Sequence, residues 1–249
     1  MSRKKIVIIC LILVILAALE ATAYYVWEKM YKDPAAVKER EKEECDMMYN
    51  QLLSDLLSRV QQYKWIVVIN PTHGGSDKGN STGDINEKDI TFAIAKKIKE
   101  KNNNSDIGIF LTRETDTNPT MEQRNNFIDQ IQPDILIELH VNKDIQSSTF
   151  GTAVYYQSDF FHNKLTNAEF ADIVEKEIVG AIEGKAIGIF DTDNERYDIL
   201  SDKKIPAVSI ECGYVSNTKE GVLLSRDNYQ SNFATGIVNA IDKAVEQIQ

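Results

Sequence analysis

The sequence is poor in cysteine, in histidine and in repeated or low-complexity segments. Its three cysteines, Cys10, Cys45 and Cys212, are widely separated. They make neither a disulfide framework nor a zinc-finger spacing. Basic charge is scarce too: 28 Lys and Arg stand against 38 Asp and Glu, for a formal net charge of −10. Arg3, Lys4 and Lys5 sit together at the start, so the body of the chain is more acidic still. An acidic body argues against a phosphate-backbone partner, which needs clustered cations, and no nucleic-acid partner is expected. The helical zinc-peptidase signature His-Glu-x-x-His is missing. With 249 residues, 43% of them hydrophobic, there is material for one sizeable core and an appendage, not for two full domains.

The long apolar run is at the N-terminus. Arg3, Lys4 and Lys5 precede an unbroken stretch from Ile6 to Leu19. Beyond Glu20 it continues through Ala21, Ala23, Tyr24, Tyr25, Val26 and Trp27. A spanning helix needs roughly 20 apolar residues, so residues 6–27 are expected to cross a membrane. Tyr24, Tyr25 and Trp27 would lie at the outer interface. The cations hold the N-terminus in the cytoplasm, which predicts a single-pass cell-membrane protein with its bulk extracellular. Ala21-Thr22-Ala23 also carries the small-x-small pattern of a cleavage site. The alternative is therefore a secreted protein cut near Ala23.

Three segments follow: a membrane anchor (1–27), a helical stalk (28–63) and a globular domain (64–249). In the stalk, Cys45, Met48, Tyr49, Leu52, Leu53, Leu56, Leu57 and Val60 recur in steps of three and four. That is one apolar helix face. It is expected to pack on the next domain, and self-association through residues 45–60 is a further possibility. Apolar runs at Trp65–Ile69, Ile107–Leu111, Ile135–Leu139, Thr152–Tyr156 and Ala207–Ile210 predict strands. Helical spacing covers Ile85–Lys101, Thr120–Ile131 and Leu165–Ile182. In the C-terminal segment Phe233, Ile237, Ile241 and Val245 share a helix face. Strands alternating with helices predict an α/β fold with a single mixed, mostly parallel sheet covered on both faces.

Of the three histidines, His73 and His140 follow the ends of predicted buried strands, and Glu211 follows a third. Open α/β sheets place their sites at the carboxyl ends of strands. Two neutral imidazoles and a carboxylate form a usual catalytic zinc set with one position left for water. A second carboxylate can then act as general base. Spacing alone does not choose among Asp77, Asp84, Glu87 and Asp89 for the remaining carboxylate. His162 receives no role.

From Trp65 to the C-terminus these pieces, in this order, resemble the zinc-dependent N-acetylmuramoyl-L-alanine amidases of cell-wall hydrolysis. The matching stretches are Val67–Gly75, Glu87 opening a helix, Phe110–Arg113, Arg124-Asn125, Leu139–Asn142, Gly151–Tyr156 and Pro206–Asn217. The resemblance implies that His73, Glu87 and His140 bind Zn2+ and that Glu211 is the catalytic carboxylate. It implies peptidoglycan as the substrate, cut at the amide between N-acetylmuramic acid and L-alanine. The chain departs from the family pattern at four places. Asn70 stands where Asp is usual and Thr72 where Gly is usual. Glu138 replaces a small Ser, and Cys212 replaces a Gly. Altered loop hydrogen bonding is expected from the first two. Glu138 should face the same way as His140, bonding a ligand, crowding the metal and tuning it, or pairing with Arg113 or Arg124. Cys212 would be strained if its backbone needed positive φ, and its sulfur is a remote fourth ligand. These changes keep open a second reading, a non-catalytic peptidoglycan-binding or regulatory protein on the same scaffold. Only Lys143–Gly151 separates Asn142 from Thr152, too little for the inhibitory helix some family members carry there.

Overall fold

A computed structural model describes residues 3–157, 161–162, 164–192, 199–201 and 203–249, with the side chains of 3–14 and 161–162 outside that description. The chain divides into two compact units, Met1–Met48 and Tyr49–Gln249. In the first, helix α1 runs over Arg3–Lys32. It stops at Asp33, whose carboxylate accepts the N–H of Ala35 at 2.9 Å while Pro34 opens α2 (Pro34–Val60). A capping side chain followed by proline at the first helical position is a strong helix start. Along α1, Ile15, Leu16, Leu19, Tyr24, Tyr25 and Trp27 are exposed. Among the described residues no helix is long and apolar enough to cross a membrane. The expected span of residues 6–27 falls, at 6–14, outside the described side chains.

The second unit begins with the last three turns of α2. Then come β1 (Trp65–Pro71), the hairpin β2 (Ser81–Thr82) and β3 (Ile85–Asn86), α3 (Glu87–Lys101) and β4 (Ile107–Leu111). α4 (Met121–Ile131), β5 (Ile135–Asn142) and β6 (Thr152–Tyr156) follow, then the small pair β7 (Phe161–His162) and β8 (Leu165–Thr166). The chain ends with α5 (Asn167–Ile182), β9 (Ala186–Asp191), β10 (Ala207–Tyr214), α6 (Thr218–Leu224) and α7 (Asp227–Ile248). The main sheet has the order β4-β1-β5-β10-β6-β9. β4, β1, β5 and β10 pair in parallel, β6 is antiparallel to β10, and β9 is parallel to β6. The sheet is thus mixed and mostly parallel.

Helices cover both faces, as the near-continuous apolar central strands require. Val67, Ile69, Ile137, Leu139, Val208 and Ile210 pack with α3, α5 and α7. Val68, Phe110, Leu136 and Ala207 point the other way. There they meet Phe127, Ile128 and Ile131 of α4 and Tyr49, Leu53 and Leu56 of α2. The apolar stripe of residues 49–56 is therefore occupied within one chain. On the α4 face the lower half of each strand is apolar and the upper half polar. Asn70, Thr112, Glu138, His140, Ser209 and Glu211 continue the rows begun by Val68, Phe110, Leu136 and Ala207, and all six are buried.

Several element ends differ from those read in the sequence. Ile85 and Asn86 belong to a hairpin, and α3 starts at Glu87. Thr120 and Thr166 are N-caps with complete capping boxes, so α4 and α5 start one residue after each. β5 and β10 run on to Asn142 and Tyr214, which places His140 and Glu211 inside strands rather than just past them.

Candidate metal centre

Three elements carry the candidate ligands. β1 delivers the loop holding His73, which adopts φ 60. Non-glycine residues rarely occupy that left-handed region, and such strain collects at functional sites. The loop is fixed by two buried arginines. Arg113 donates from Nε to the Pro71 carbonyl (3.1 Å) and from Nη2 to those of Thr72 (3.3 Å) and Lys88 (2.8 Å). Arg124 donates to the carbonyls of Pro71 (3.1 Å), His73 (3.2 Å) and Pro119 (3.0 Å). Burial, then the charge of Arg124, pulls the Arg113 guanidinium down to about 10. Thr72, at the position where Gly was expected, uses its hydroxyl to hold the Leu139 carbonyl at 2.7 Å. A glycine at 72 could not make this bond.

Glu87 opens α3 and is fully buried. Its Oε2 accepts the Asn80 N–H (2.8 Å) and its Oε1 the Val141 N–H (2.9 Å). The helix N-terminus also favours a carboxylate there. Each candidate imidazole turns one nitrogen to it: His73 Nε2 lies 3.3 Å from Oε2 and His140 Nδ1 3.0 Å from Oε1. Burial alone would raise the Glu87 carboxyl, but hydrogen bonds and charge from His140 and His73 outweigh it. They hold the group well below the usual carboxylate range. Ligand atoms of His73, Glu87 and His140 lie within 4.8 Å of one another. Of the four acids left open by spacing, Glu87 completes this set. Asp77 instead meets the far nitrogen of His73, with Oδ2 2.8 Å from Nδ1.

Gly79 makes room for this packing. It has φ +63, and a Cβ there would lie 2.5 Å from His73 Cδ2 and 2.7 Å from Glu87 Oε2.

Glu138 sits below His140 and is 1% exposed. Asn70 Nδ2 donates to its Oε1 (2.9 Å) and Ser209 Oγ to its Oε2 (2.9 Å). The same Oε2 is 3.2 Å from His140 Nε2. Asn70 in turn accepts from Thr112 Oγ1 and Arg124 Nη1, both at 2.6 Å. Arg124 therefore reaches Glu138 through Asn70, and Arg113 turns its donors to backbone carbonyls. Neither forms the simple salt bridge considered from the sequence. Burial lowers the His140 imidazole, but the charge of Glu138, helped by hydrogen bonding and by Glu211, pushes it up to about 10.

Glu211 is fully buried and pairs in register with His140 across β10 and β5. Parallel neighbours in register put their side chains on one face, about 4.8 Å apart. Cys212 points into the opposite core with Val141 and Leu139. The positive φ falls one residue later, at Gly213, so Cys212 is unstrained and its sulfur lies away from the ligands. A cavity of about 480 Å³ opens over the cluster, lined by His73, Glu87, Glu138 and His140 and by Asn118–Met121 of the α4 entrance.

Asn80, Gly79, Thr112 and Ser209 had no role in the sequence reading. Ser209 had a usable signal, since it lies two residues before Glu211 and hence on its face. The others depend on how a loop folds back.

A sequence model of the N-acetylmuramoyl-L-alanine amidase family matches residues 67–243. The chain belongs to that family. The N-acetylmuramoyl-L-alanine amidase of Clostridium difficile 630 has a similar crystal structure, with TM-score 0.67 and 28% identity over 74% of this chain and 98% of that one. The catalytic domain of CwlV, the amidase of Bacillus (Paenibacillus) polymyxa var. colistinus, gives TM-score 0.64 and 27% identity over 74% and 99%. The protein YqiI of Bacillus subtilis is 27% identical over 181 residues, 73% of this chain and 85% of its own length. The family region takes in the whole polar cluster and lies entirely within the second compact unit.

Proposed function

We propose that this chain is a zinc-dependent N-acetylmuramoyl-L-alanine amidase acting on peptidoglycan from the outer face of the cell membrane. The observation that carries this reading is the His73–Glu87–His140 set, three donors of the type zinc prefers converging beneath one cleft. His73, Glu87 and His140 would hold the ion. Zinc held there supplies Lewis acidity toward an amide carbonyl and activates water near neutral pH.

The chain's own groups do the rest. Glu211, one strand from His140, would take the proton of the attacking water and pass it to the leaving amine. The two arginines fix the backbone of the His73 loop, so the first donor is positioned before substrate arrives. Asn118–Met121 form the opposite wall, against which the glycan or the stem peptide would lie.

Location is part of the reading. α1 has 30 residues, and at 1.5 Å per residue it is roughly 45 Å long, more than the ~30 Å hydrocarbon layer. Its exposed Ile15, Leu16, Leu19, Tyr24, Tyr25 and Trp27 suit lipid and an interface better than water. We read residues 6–27 as the anchor and Arg3, Lys4 and Lys5 as its cytoplasmic flank. Secretion after cleavage near Ala23 is the alternative, and the mass of the N-terminus from membrane fractions separates the two.

The test of activity is mass spectrometry of purified peptidoglycan after incubation with the full chain and zinc. Stem peptides starting with L-alanine, beside intact glycan strands, are expected. Zinc binding without cleavage would favour the non-catalytic scaffold.

A further inference from the structure

We infer that Glu138 is a positioning residue for the metal centre: it fixes which nitrogen His140 offers to the ion. The inference rests on the metal reading above and concerns the groups behind the ligands.

The two candidate histidines are flanked by the same kinds of group, although the His73–Asp77 pair is an aligned hydrogen bond and the His140–Glu138 pair is a close charge contact. Each has one nitrogen on the shared Glu87 and the other on a carboxylate of its own. His73 Nδ1 has Asp77 Oδ2 at 2.8 Å, and His140 Nε2 has Glu138 Oε2 at 3.2 Å. A carboxylate behind an imidazole keeps the proton on the nitrogen it faces and leaves the other nitrogen's lone pair for the metal. It also stops the ring from rotating. Here the rule assigns Nε2 of His73 and Nδ1 of His140 as the donors, the two atoms already turned toward Glu87.

The two carboxylates differ in how firmly they are themselves anchored. Asp77 has a side chain 47% exposed and is bonded to the Gly79 N–H of its own loop. Glu138 is buried within the sheet and accepts from Asn70 on β1 and Ser209 on β10, so three adjacent strands contribute to one carboxylate. Asn70 fits this arrangement because an amide both donates to Glu138 and accepts from Thr112 and Arg124. A carboxylate at 70 could not donate and would face Glu138 with like charge. The two residues act together: the amide at 70 makes the buried carboxylate at 138 possible.

The test uses the full chain in detergent micelles. With only three histidines, a long-range proton–nitrogen spectrum of the imidazoles is directly assignable. In the zinc-loaded wild type, His140 is expected to carry its proton on Nε2 and to be coordinated through Nδ1, which is read without any substitution. In Glu138→Gln that proton loses its charged partner and its resonance moves upfield, and zinc affinity by chelator competition falls about 10–100-fold. Asp77→Asn should produce a smaller loss. Ser209→Ala, which loosens Glu138 without removing its charge, should fall between wild type and Glu138→Gln. Coordination through Nε2, which would put Glu138 beside the ion instead of behind the ring, overturns the inference. So does a Glu138→Gln protein with wild-type affinity and an unchanged His140 signature. A wild-type chain that binds no zinc overturns the metal reading itself and this inference with it.

Discussion

Glu211 and His140 stand side by side on neighbouring parallel strands, in register and on the same face of the sheet. The pairing places a fully buried carboxylate next to a candidate metal ligand without making it part of the three-residue donor set. That separation sets the first prediction. Glu211→Gln should lower hydrolysis by about 10²–10⁴-fold, the range for loss of a general acid–base group. Zinc content per chain should stay at the wild-type value. Elemental analysis beside the peptidoglycan assay decides it, and zinc lost together with activity would make Glu211 a ligand.

Gly79→Ala should weaken metal binding while leaving the sheet intact. A methyl group there would collide with His73 and Glu87, at a backbone angle of φ +63 that disfavours any side chain. Competition with a zinc chelator gives the affinity, and circular dichroism checks the fold. Unchanged affinity would mean that the ligands move aside freely.

Arg124→Lys should destabilise the protein by about 3 kcal/mol. A lysine has no planar fork to serve Asn70, Pro71, His73 and Pro119 at once, and buried acceptors left unmet cost about 1–3 kcal/mol each. Denaturant unfolding of the metal-free chain measures the loss. A change under ~0.5 kcal/mol would show that water replaces the guanidinium.

The metal-free protein should be most stable between about pH 4.5 and 6.5. Glu87 is depressed below its ordinary 4.5, so its contribution is present above that pH and disappears as pH falls through the lower, folded value. His140 is raised from 6.5 to about 10, so its contribution is complete below 6.5 and is lost as pH rises through about 10. Melting temperatures with chelator present, taken from pH 3 to 10 at about one-unit steps, should fall on both sides of that interval. A melting temperature that climbs steadily from neutral to alkaline pH would contradict it.

Leu56→Ala should cost about 2–5 kcal/mol, as for other fully buried leucines. Leu56 is 2% exposed and packs with Phe110, Phe127 and Leu136. A chain starting at Tyr49 should melt like the full chain, whereas one starting at Lys64 should melt lower. Equal melting points for the two shortened chains would show that the end of α2 is dispensable to the core.

Much of the sheet was legible because parallel central strands are buried on both faces and read as apolar runs. Ile107–Leu111 and Thr152–Tyr156 have the bounds that their composition suggests. The same logic ended β5 and β10 too early. His140 and Glu211 are polar, yet the strands continue because each polar side chain finds its partners on neighbouring strands. β9 was not visible, being an edge strand with exposed ends and a glycine at 188. At the site, residue types and order pointed to His73, His140 and Glu211, and the family resemblance singled out Glu87. The Asn70–Glu138–Ser209 chain was not legible, since it exists only once the register of three strands is set. The changes at 70 and 138 looked in the sequence like two separate departures, and in the fold they are one.

The ligand cluster is unevenly sheltered. Glu87 is sealed and the His140 side chain is 7% exposed, whereas that of His73 is 26% exposed, on a loop whose carboxylate partner faces water. An ion arriving from solvent would meet His73 first, and a departing ion would leave it last. The floor of the site is built from the sheet, whereas its rim is built from the loop around Gly79. Exchange of the ion should therefore be governed by local opening of that rim, at a rate largely independent of how firmly the sheet beneath is folded.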